Sequence, residues 1–173
     1  MSAQSDSGNF EQEVLPHLNS AYNFARWLTR NDEDAEDVAQ EAYLRAFKSY
    51  HGFRGGDARP WLLKIVRNVY YTSSRKNSPL QFIDLDEDLI RSHPSLPNAE
   101  EALIQESDGM LIRRALEMLP TRAREMVTLR ELEGMSYKEI AMVMEVPTGT
   151  VMSTLSRVRA RLRQSLIRCM TAT

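Results

Sequence analysis

Arginine side chains are concentrated at the end of the chain. Residues 148–173 contain no acid and five arginines: Arg157, Arg159, Arg161, Arg163 and Arg168. A guanidinium group can pair with phosphates or donate two hydrogen bonds to the edge of a guanine. The segment therefore predicts contact with nucleic acid. For arginines alone, a solvated basic helix or a face that binds a protein partner is the alternative.

Two predicted helices, a short one followed by a longer one, position these arginines. Ser136 and Glu139 have the spacing of a capping box, so a helix is expected to start there. Residues 146–150 break the chain, and Thr148 or Thr150 can cap a second helix over 151–169. A short helix, a tight break and a longer helix are typical of a helix-turn-helix that reads duplex DNA.

The second of these helices has an apolar side and a polar side. At about 100° per residue, one stripe is expected to be buried: Val151, Leu155, Val158, Leu162 and Leu166. Ser153 and Arg157 lie on the opposite side, with Arg161 on its flank. These polar side chains are the ones that the pattern presents to DNA.

A second basic face is predicted on a helix over 61–76, which follows a glycine-rich loop at 51–59. Lys64, Arg67, Tyr71 and Arg75 are spaced by three, four and four residues, so they share one face near Trp61. Charges and aromatic rings together suit single-stranded or melted nucleic acid, because bases stack on rings while phosphates meet cations. Packing of the rings within the protein is the alternative. The loop has neither of the glycine patterns that cradle phosphates.

An acidic helix is predicted over 34–50, after a single helix over 10–30. It is expected to bury Ala35, Val38, Ala42 and Phe47. Its exposed side carries four polar residues: Asp37, Gln40, Glu41 and Arg45. A face that binds a protein fits this excess of acid, although a solvated helix surface is the alternative.

The charge distribution divides the chain into three parts. Residues 1–83 carry 10 basic and 10 acidic side chains, residues 84–108 carry 1 and 8, and residues 109–173 carry 11 and 6. An acidic segment between a neutral and a basic part predicts a linker between two modules. The expected fold is all-α, with two small helical domains at 1–83 and 109–173 joined by an acidic flexible linker at 84–108.

Cysteine content and hydropathy indicate the cellular compartment of the protein. Cys169 is the one cysteine, so an internal disulfide is excluded, which suits a reducing compartment. No apolar run reaches the length of a membrane span, and the polar start predicts no signal peptide. We therefore expect a cytoplasmic protein. Scattered histidines and the lack of a nucleophile–base pair predict no metal, no cofactor and no enzymatic activity.

Two sets of motifs resemble those of the extracytoplasmic-function (ECF, group IV) sigma factors of the sigma-70 family. The first set is similar to the family's conserved second region and comprises residues 34–47, 53–55 and 61–68. The second is similar to its fourth region and comprises Leu119-Pro120, Arg124, residues 134–141 and 147–151, Arg157 and Arg159. The two sets occur in the family's order and cover nearly the whole chain outside the linker.

The resemblance implies binding to bacterial core RNA polymerase and to promoter DNA. Residues implied in docking on the polymerase β′ clamp are Asp37, Gln40, Glu41, Leu44 and Arg45. Residues implied in reading and melting the −10 element are Phe53, Arg54, Arg59, Trp61, Lys64, Arg67, Asn68, Tyr71 and Arg75. Residues implied in reading the −35 element as duplex are Thr150, Ser153, Thr154, Arg157 and Arg161.

Further partners follow from the same resemblance. It implies that the linker runs toward the RNA exit channel, that the C-terminal domain rests on the β flap, and that an anti-sigma factor controls the protein. The chain departs from the family at Thr72, where an acid is common, and at Met152 and Thr154, where Lys or Arg is common. These departures bear on which promoter sequence is read.

The main alternative is a one-component or response-regulator-type transcription factor. Such a protein dimerises and binds palindromic duplex without polymerase. It would not need the basic, aromatic helix at 61–76, and the sequence has no heptad pattern for dimerisation. A nucleic-acid enzyme is the other alternative, and it would need a metal or nucleophile constellation.

Overall fold

The computed structural model describes residues 2–77, 112–113, 115–116 and 119–171, and every regular element in these ranges is helical. The helices are α1 (Ser2–Val14), α2 (Leu18–Thr29), α3 (Asp32–Ser49), α4 (Ala58–Asn77), α5 (Thr121–Val127), α6 (Tyr137–Met144) and α7 (Thr148–Thr171). Short 3-10 turns at Leu15–His17 and Tyr50–Gly52 follow α1 and α3, and a π-helical turn at Thr128–Leu132 continues α5. The predicted linker at 84–108 lies outside the described residues. None of the helices in the described ranges is long and apolar enough to span a membrane.

Helices α2, α3 and α4 pack against one another in the N-terminal domain. The Asn31 side chain caps α3 by accepting a hydrogen bond of 3.0 Å from the Asp34 N–H, and three acids in the first turn complement the helix dipole. Ala35, Ala42 and Ala46 on α3 are fully buried. Because these side chains are small, neighbouring helix axes can approach closely.

The predicted single helix over 10–30 is wrong, because the chain bends at Pro16. Helix α1 ends at Val14, and α2 begins at Leu18 after one 3-10 turn. Proline has no N–H to donate within a helix, and its ring clashes with the preceding turn. The apolar spacing continues through the bend, so the spacing alone suggested one continuous helix.

The expected burial of Phe47 is also wrong. Its side chain is 50% exposed and meets the ring of Phe10 edge-on, with 5.2 Å between ring centroids. Ala46, one residue earlier, takes the core position instead. The other three residues predicted for the α3 core are buried.

The capping box predicted for the first helix of the helix-turn-helix is confirmed. Ser136 Oγ accepts from the Glu139 N–H at 3.2 Å, and Glu139 Oε2 accepts from the Ser136 N–H at 2.7 Å. Helix α6 ends at Met144, and the next residue, Glu145, has a left-handed φ of 55°. Helix α7 begins at Thr148, three residues before the predicted start, so Thr150 lies inside its first turn.

The predicted apolar stripe of α7 forms the core of the C-terminal domain. Val151, Leu155 and Val158 are at most 1% exposed, and Leu162 packs half-buried against them. The side chain of Leu166 lies outside those described. Burial of each such side chain contributes about 1.5–3 kcal/mol to folding.

The two domains are in contact. Helix α4 packs on α6, and α2 packs on α5. Buried side chains from both domains form one hydrophobic cluster. One face of the predicted DNA-reading helix α4 therefore lies against the C-terminal domain.

Candidate polymerase and nucleic-acid interfaces

The five residues predicted to bind polymerase form one exposed face of α3, which we call the docking face: Asp37, Gln40, Glu41, Leu44 and Arg45. Arg45 Nε donates to Glu41 Oε1 at 2.7 Å, a contact between side chains one turn apart. Leu44 is 47% exposed at the centre of this polar face. An apolar side chain ringed by charges suits a protein partner better than a nucleic acid.

An aromatic cluster lies where the glycine-rich loop meets α4. The Phe53 ring lies 5.0 Å from that of Trp61 and stacks on Tyr50 at 5.9 Å, measured between centroids. All three rings are only partly buried. Sequence reasoning missed Tyr50, since its position at the end of the acidic helix gave no sign that it packs on Phe53.

The loop before α4 is shaped by its glycines and by one aspartate. Gly55 and Gly56 have φ values of 82° and 93°, which side chains other than glycine rarely adopt. Asp57 Oδ1 accepts from the Arg59 N–H at 2.9 Å at the start of α4. This geometry leaves Arg54 exposed at the tip of the loop.

Three of the four side chains predicted for the basic face of α4 are described, and we keep this name for Lys64, Arg67 and Tyr71. The Arg67 guanidinium lies 4.7 Å from the centroid of the Tyr71 ring, a cation–π arrangement. These three side chains are partly buried, whereas the neighbouring Asn68, also predicted to contact the −10 element, is exposed. Arg75 lies near the end of α4, outside the described side chains.

Three side chains of α4 contact carboxylates of the C-terminal domain. Tyr71 Oη donates to Glu125 Oε1 at 2.6 Å, and Arg67 Nε donates to Glu125 Oε2 at 3.3 Å. Lys64 Nζ lies 3.1 Å from Glu145 Oε1. Arg59 adds a backbone contact, since its Nη1 donates to the Glu133 carbonyl oxygen at 2.7 Å.

Burial controls the ionisation of this contact. Glu125 is fully buried, and the loss of solvation raises the pKa of its carboxyl although Arg67 and Tyr71 act to lower it. Burial, followed by the charge of Glu125, raises the pKa of the Tyr71 hydroxyl. Tyr71 therefore stays protonated and keeps donating at physiological pH. Sequence reasoning missed Glu125, because its partners lie more than fifty residues away.

The residues predicted to read duplex DNA divide into accessible and buried ones. Ser153 is exposed, and Thr150, Arg157 and Arg161 are partly exposed. Thr154 is only 5% exposed, so the prediction that it contacts DNA is corrected. At about 100° per residue, Thr154 lies within 60° of the buried stripe, which explains its position.

Arg159 holds α7 to the turn that precedes α6. Its Nη2 lies 2.6 Å from Glu131 Oε1, and its Nη1 donates to Tyr137 Oη at 3.4 Å. The hydrogen bond to Glu131 is the main cause that raises the pKa of this guanidinium. Arg159 therefore connects α7 with the π-helical turn and with Tyr137 on α6, a pair of contacts that the sequence did not reveal.

Comparison with known proteins identifies both domains. Residues 14–79 match the family model "Sigma-70 region 2", and residues 109–162 match "Sigma-70, region 4". The chain belongs to the ECF sigma factors of the sigma-70 family, as its motifs predicted, and its two helical domains have the architecture of that family.

Named relatives support this assignment. The chain is 35% identical over 134 residues to the ECF RNA polymerase sigma-E factor of Escherichia coli. This alignment covers 73% of this chain and 70% of the relative. It is 32% identical over 158 residues to the ECF RNA polymerase sigma factor SigE of Mycolicibacterium smegmatis, covering 91% of this chain and 62% of the relative. The chain thus spans less than two thirds of the mycobacterial protein.

A solved structure shows the same arrangement of helices. It is the sigma factor RpoE from Bartonella quintana, in complex with the anti-sigma factor NepR. The TM-score is 0.70 at 28% identity, and the match covers 91% of this chain and 96% of the other.

Proposed function

We propose that this chain is a specificity subunit of bacterial RNA polymerase that directs transcription to particular promoters. The observation that carries the proposal is the match to both sigma regions in their family order, on domains whose exposed faces suit the two tasks. Polymerase supplies the metal and the chemistry, so the chain itself acts without enzymatic activity or cofactor, in the cytoplasm. We assign the regions to 1–83 and 109–173, with a linker at 84–108.

The docking face would bind the β′ clamp. Its exposed Leu44 offers an apolar contact, and the acids and Arg45 around it would fix the orientation of the helix through charge pairs. The C-terminal domain would rest on the β flap. The acidic linker would run toward the RNA exit channel, where its negative charge resembles that of nucleic acid.

The loop and α4 would recognise the −10 element as a separated strand. Arg54 is exposed at the loop tip, and the rings of Phe53 and Trp61 lie where an unstacked base could pack. The basic face of α4 would follow the phosphates. Arg59 and Arg75 complete the set, although the side chain of Arg75 lies outside those described.

Helix α7 would read the −35 element in the major groove. Its N-terminal residues Thr150 and Ser153 would meet the groove first, and Arg157 and Arg161 would reach bases or phosphates. Arg159 would support this geometry through Glu131 without contacting bases. An anti-sigma factor would control the protein, since the similar Bartonella sigma factor forms a complex with the anti-sigma factor NepR.

Run-off transcription tests the proposal directly. Purified core polymerase is given a pool of genomic promoter fragments, with and without this protein. New discrete transcripts that depend on the protein are expected, and their start sites would supply the −35 and −10 sequences. Absence of transcripts together with specific duplex binding by the protein alone would favour the one-component regulator instead.

A further inference from the structure

The basic face of α4 is already occupied by carboxylates from the same chain. Both oxygens of Glu125 accept hydrogen bonds from this face, one from Tyr71 and one from Arg67. The Glu125 side chain is fully buried in this contact, and that of Arg67 is only 17% exposed. A hydroxyl and a guanidinium are the donors that a nucleic-acid phosphate would use, so the carboxylate of Glu125 takes the place of a phosphate.

Two further contacts extend the occupied area along α4. Lys64 pairs with Glu145 at 3.1 Å, and Arg59 donates to the Glu133 carbonyl at 2.7 Å. Both acceptors belong to the C-terminal domain. Each of these α4 residues belongs to the set that would recognise the −10 strand. A strand cannot follow this face until the domains separate.

The docking face, by contrast, is exposed in the part of the chain that the structure describes. Glu41 and Arg45 pair only with each other at 2.7 Å among the contacts described, and their side chains are 47% and 46% exposed. Leu44 between them is 47% exposed. Polymerase could therefore engage the chain while its strand-reading side is still covered.

We propose that the free protein holds itself in a closed, autoinhibited form in which Glu125 and Glu145 of the C-terminal domain mask the basic face of α4. The masking concerns the strand-reading role of α4 and so rests on the proposed function. The closed contact itself is independent of that function. Docking on polymerase comes first, and separation of the domains then exposes the face to the melted strand.

Small-angle X-ray scattering of the full chain tests closure without any DNA. Glu125→Ala removes the buried acceptor that Tyr71 and Arg67 share, so the radius of gyration should rise. Glu145→Lys repels Lys64 at the surface and should also expand the chain, even where the buried variant folds poorly. The double variant Lys64→Glu with Glu145→Lys should restore the compact form. Glu41→Lys, the same charge change on the docking face, is the matched control and should leave the radius unchanged.

Binding of a fluorescein-labelled single strand of deoxythymidine tests the masking, because stacking and phosphate contacts do not need a particular sequence. Glu145→Lys and Glu125→Ala should bind it about tenfold more tightly than the parent chain, since apparent affinity rises with the fraction of the open form. The Glu41→Lys control corrects for added positive charge.

The outcomes separate the two proposals. A parent chain as expanded as Glu125→Ala and Glu145→Lys would overturn closure. Expansion of both variants with no gain in strand affinity beyond the control would overturn autoinhibition. Failure of run-off transcription would count against the sigma-factor function alone, because the scattering result does not depend on it.

Discussion

We predict that Arg157 on α7 makes a base contact. It lies one turn beyond the exposed Ser153 and on the polar side of the helix. Arg157→Ala should weaken promoter-specific initiation by roughly 1–3 kcal/mol, the range for a good base contact. Run-off transcription at a titrated promoter concentration measures the loss.

A control arginine on the same helix separates recognition from general charge. Arg163 is exposed and lies about 120° around α7 from Arg157 at about 100° per residue. Arg163→Ala should keep the promoter preference. Equal losses in the two variants would show that Arg157 acts only through its charge, and both variants should bind core polymerase normally.

The sequence predicted the exposed residues of the candidate sites more accurately than the buried ones. The exposed Ser153 and the docking face follow from helical spacing, whereas Thr154 lies at the edge of the stripe and is buried. Glu125 lies between Arg124 and Met126 in a basic domain, and no local pattern marks it. Its role comes from Arg67 and Tyr71, which the chain brings to it across a long separation.

At the scale of the element, the capping box is what starts the helix-turn-helix. Ser136→Ala removes the acceptor for the Glu139 N–H and should destabilise the chain by about 1 kcal/mol. Urea unfolding followed by circular dichroism measures this loss. Ser156→Ala, an exposed position on α7, is the control and should change stability little. A similar loss at both positions would remove the cap from the explanation.

The docking face is tested by reversing one of its charges. Glu41→Lys should weaken binding to core polymerase at every promoter, because it removes an acid from the face and its pair with Arg45. Glu36→Lys makes the same charge change on α3, about 140° around the helix at about 100° per residue. Fluorescence-detected binding to core should fall for Glu41→Lys and stay near the parent value for Glu36→Lys. Normal assembly of Glu41→Lys would move the docking face elsewhere.

Helix positions followed from the sequence, and some of their ends did not. The spacing of apolar residues located α3, α4, α6 and α7, since each buries one stripe. The division at Pro16 was missed because the apolar period runs through it. The start of α7 at Thr148 differs from the predicted start at 151, because residues 146–150 were all assigned to the break. In the structure Pro147 lies just before the helix, and its carbonyl oxygen accepts from the N–H groups of Thr150 and Val151.

At the scale of the whole molecule, charge distribution and domain contact act together. The acidic and basic parts predicted two modules, and the family comparison places a sigma region in each. Helical spacing and charge patterns describe each module by itself and do not predict which residues of the two modules are in contact. The pairing of α4 with acids of the other domain therefore had to come from the structure. Under the proposed function, this pairing would link promoter reading to the arrangement of the domains.

Closure of the two domains should depend on pH through Glu125. Arg67 and Tyr71 face this carboxyl from α4, and Arg124 lies beside it on α5. Burial raises its pKa above the ordinary value of 4.5, so the closed form binds a proton more tightly than the open form. The contribution of this proton to closure is complete below about 4.5 and is lost as the pH rises through the raised pKa. The radius of gyration should therefore rise as the pH passes through this raised pKa, to a plateau that stays below the value of Glu125→Ala. Glu125→Gln, which keeps an acceptor but cannot ionise, should remain compact throughout. A parent chain that becomes more compact with rising pH, or a Gln variant that shows the same expansion, would show that Glu125 does not control the opening.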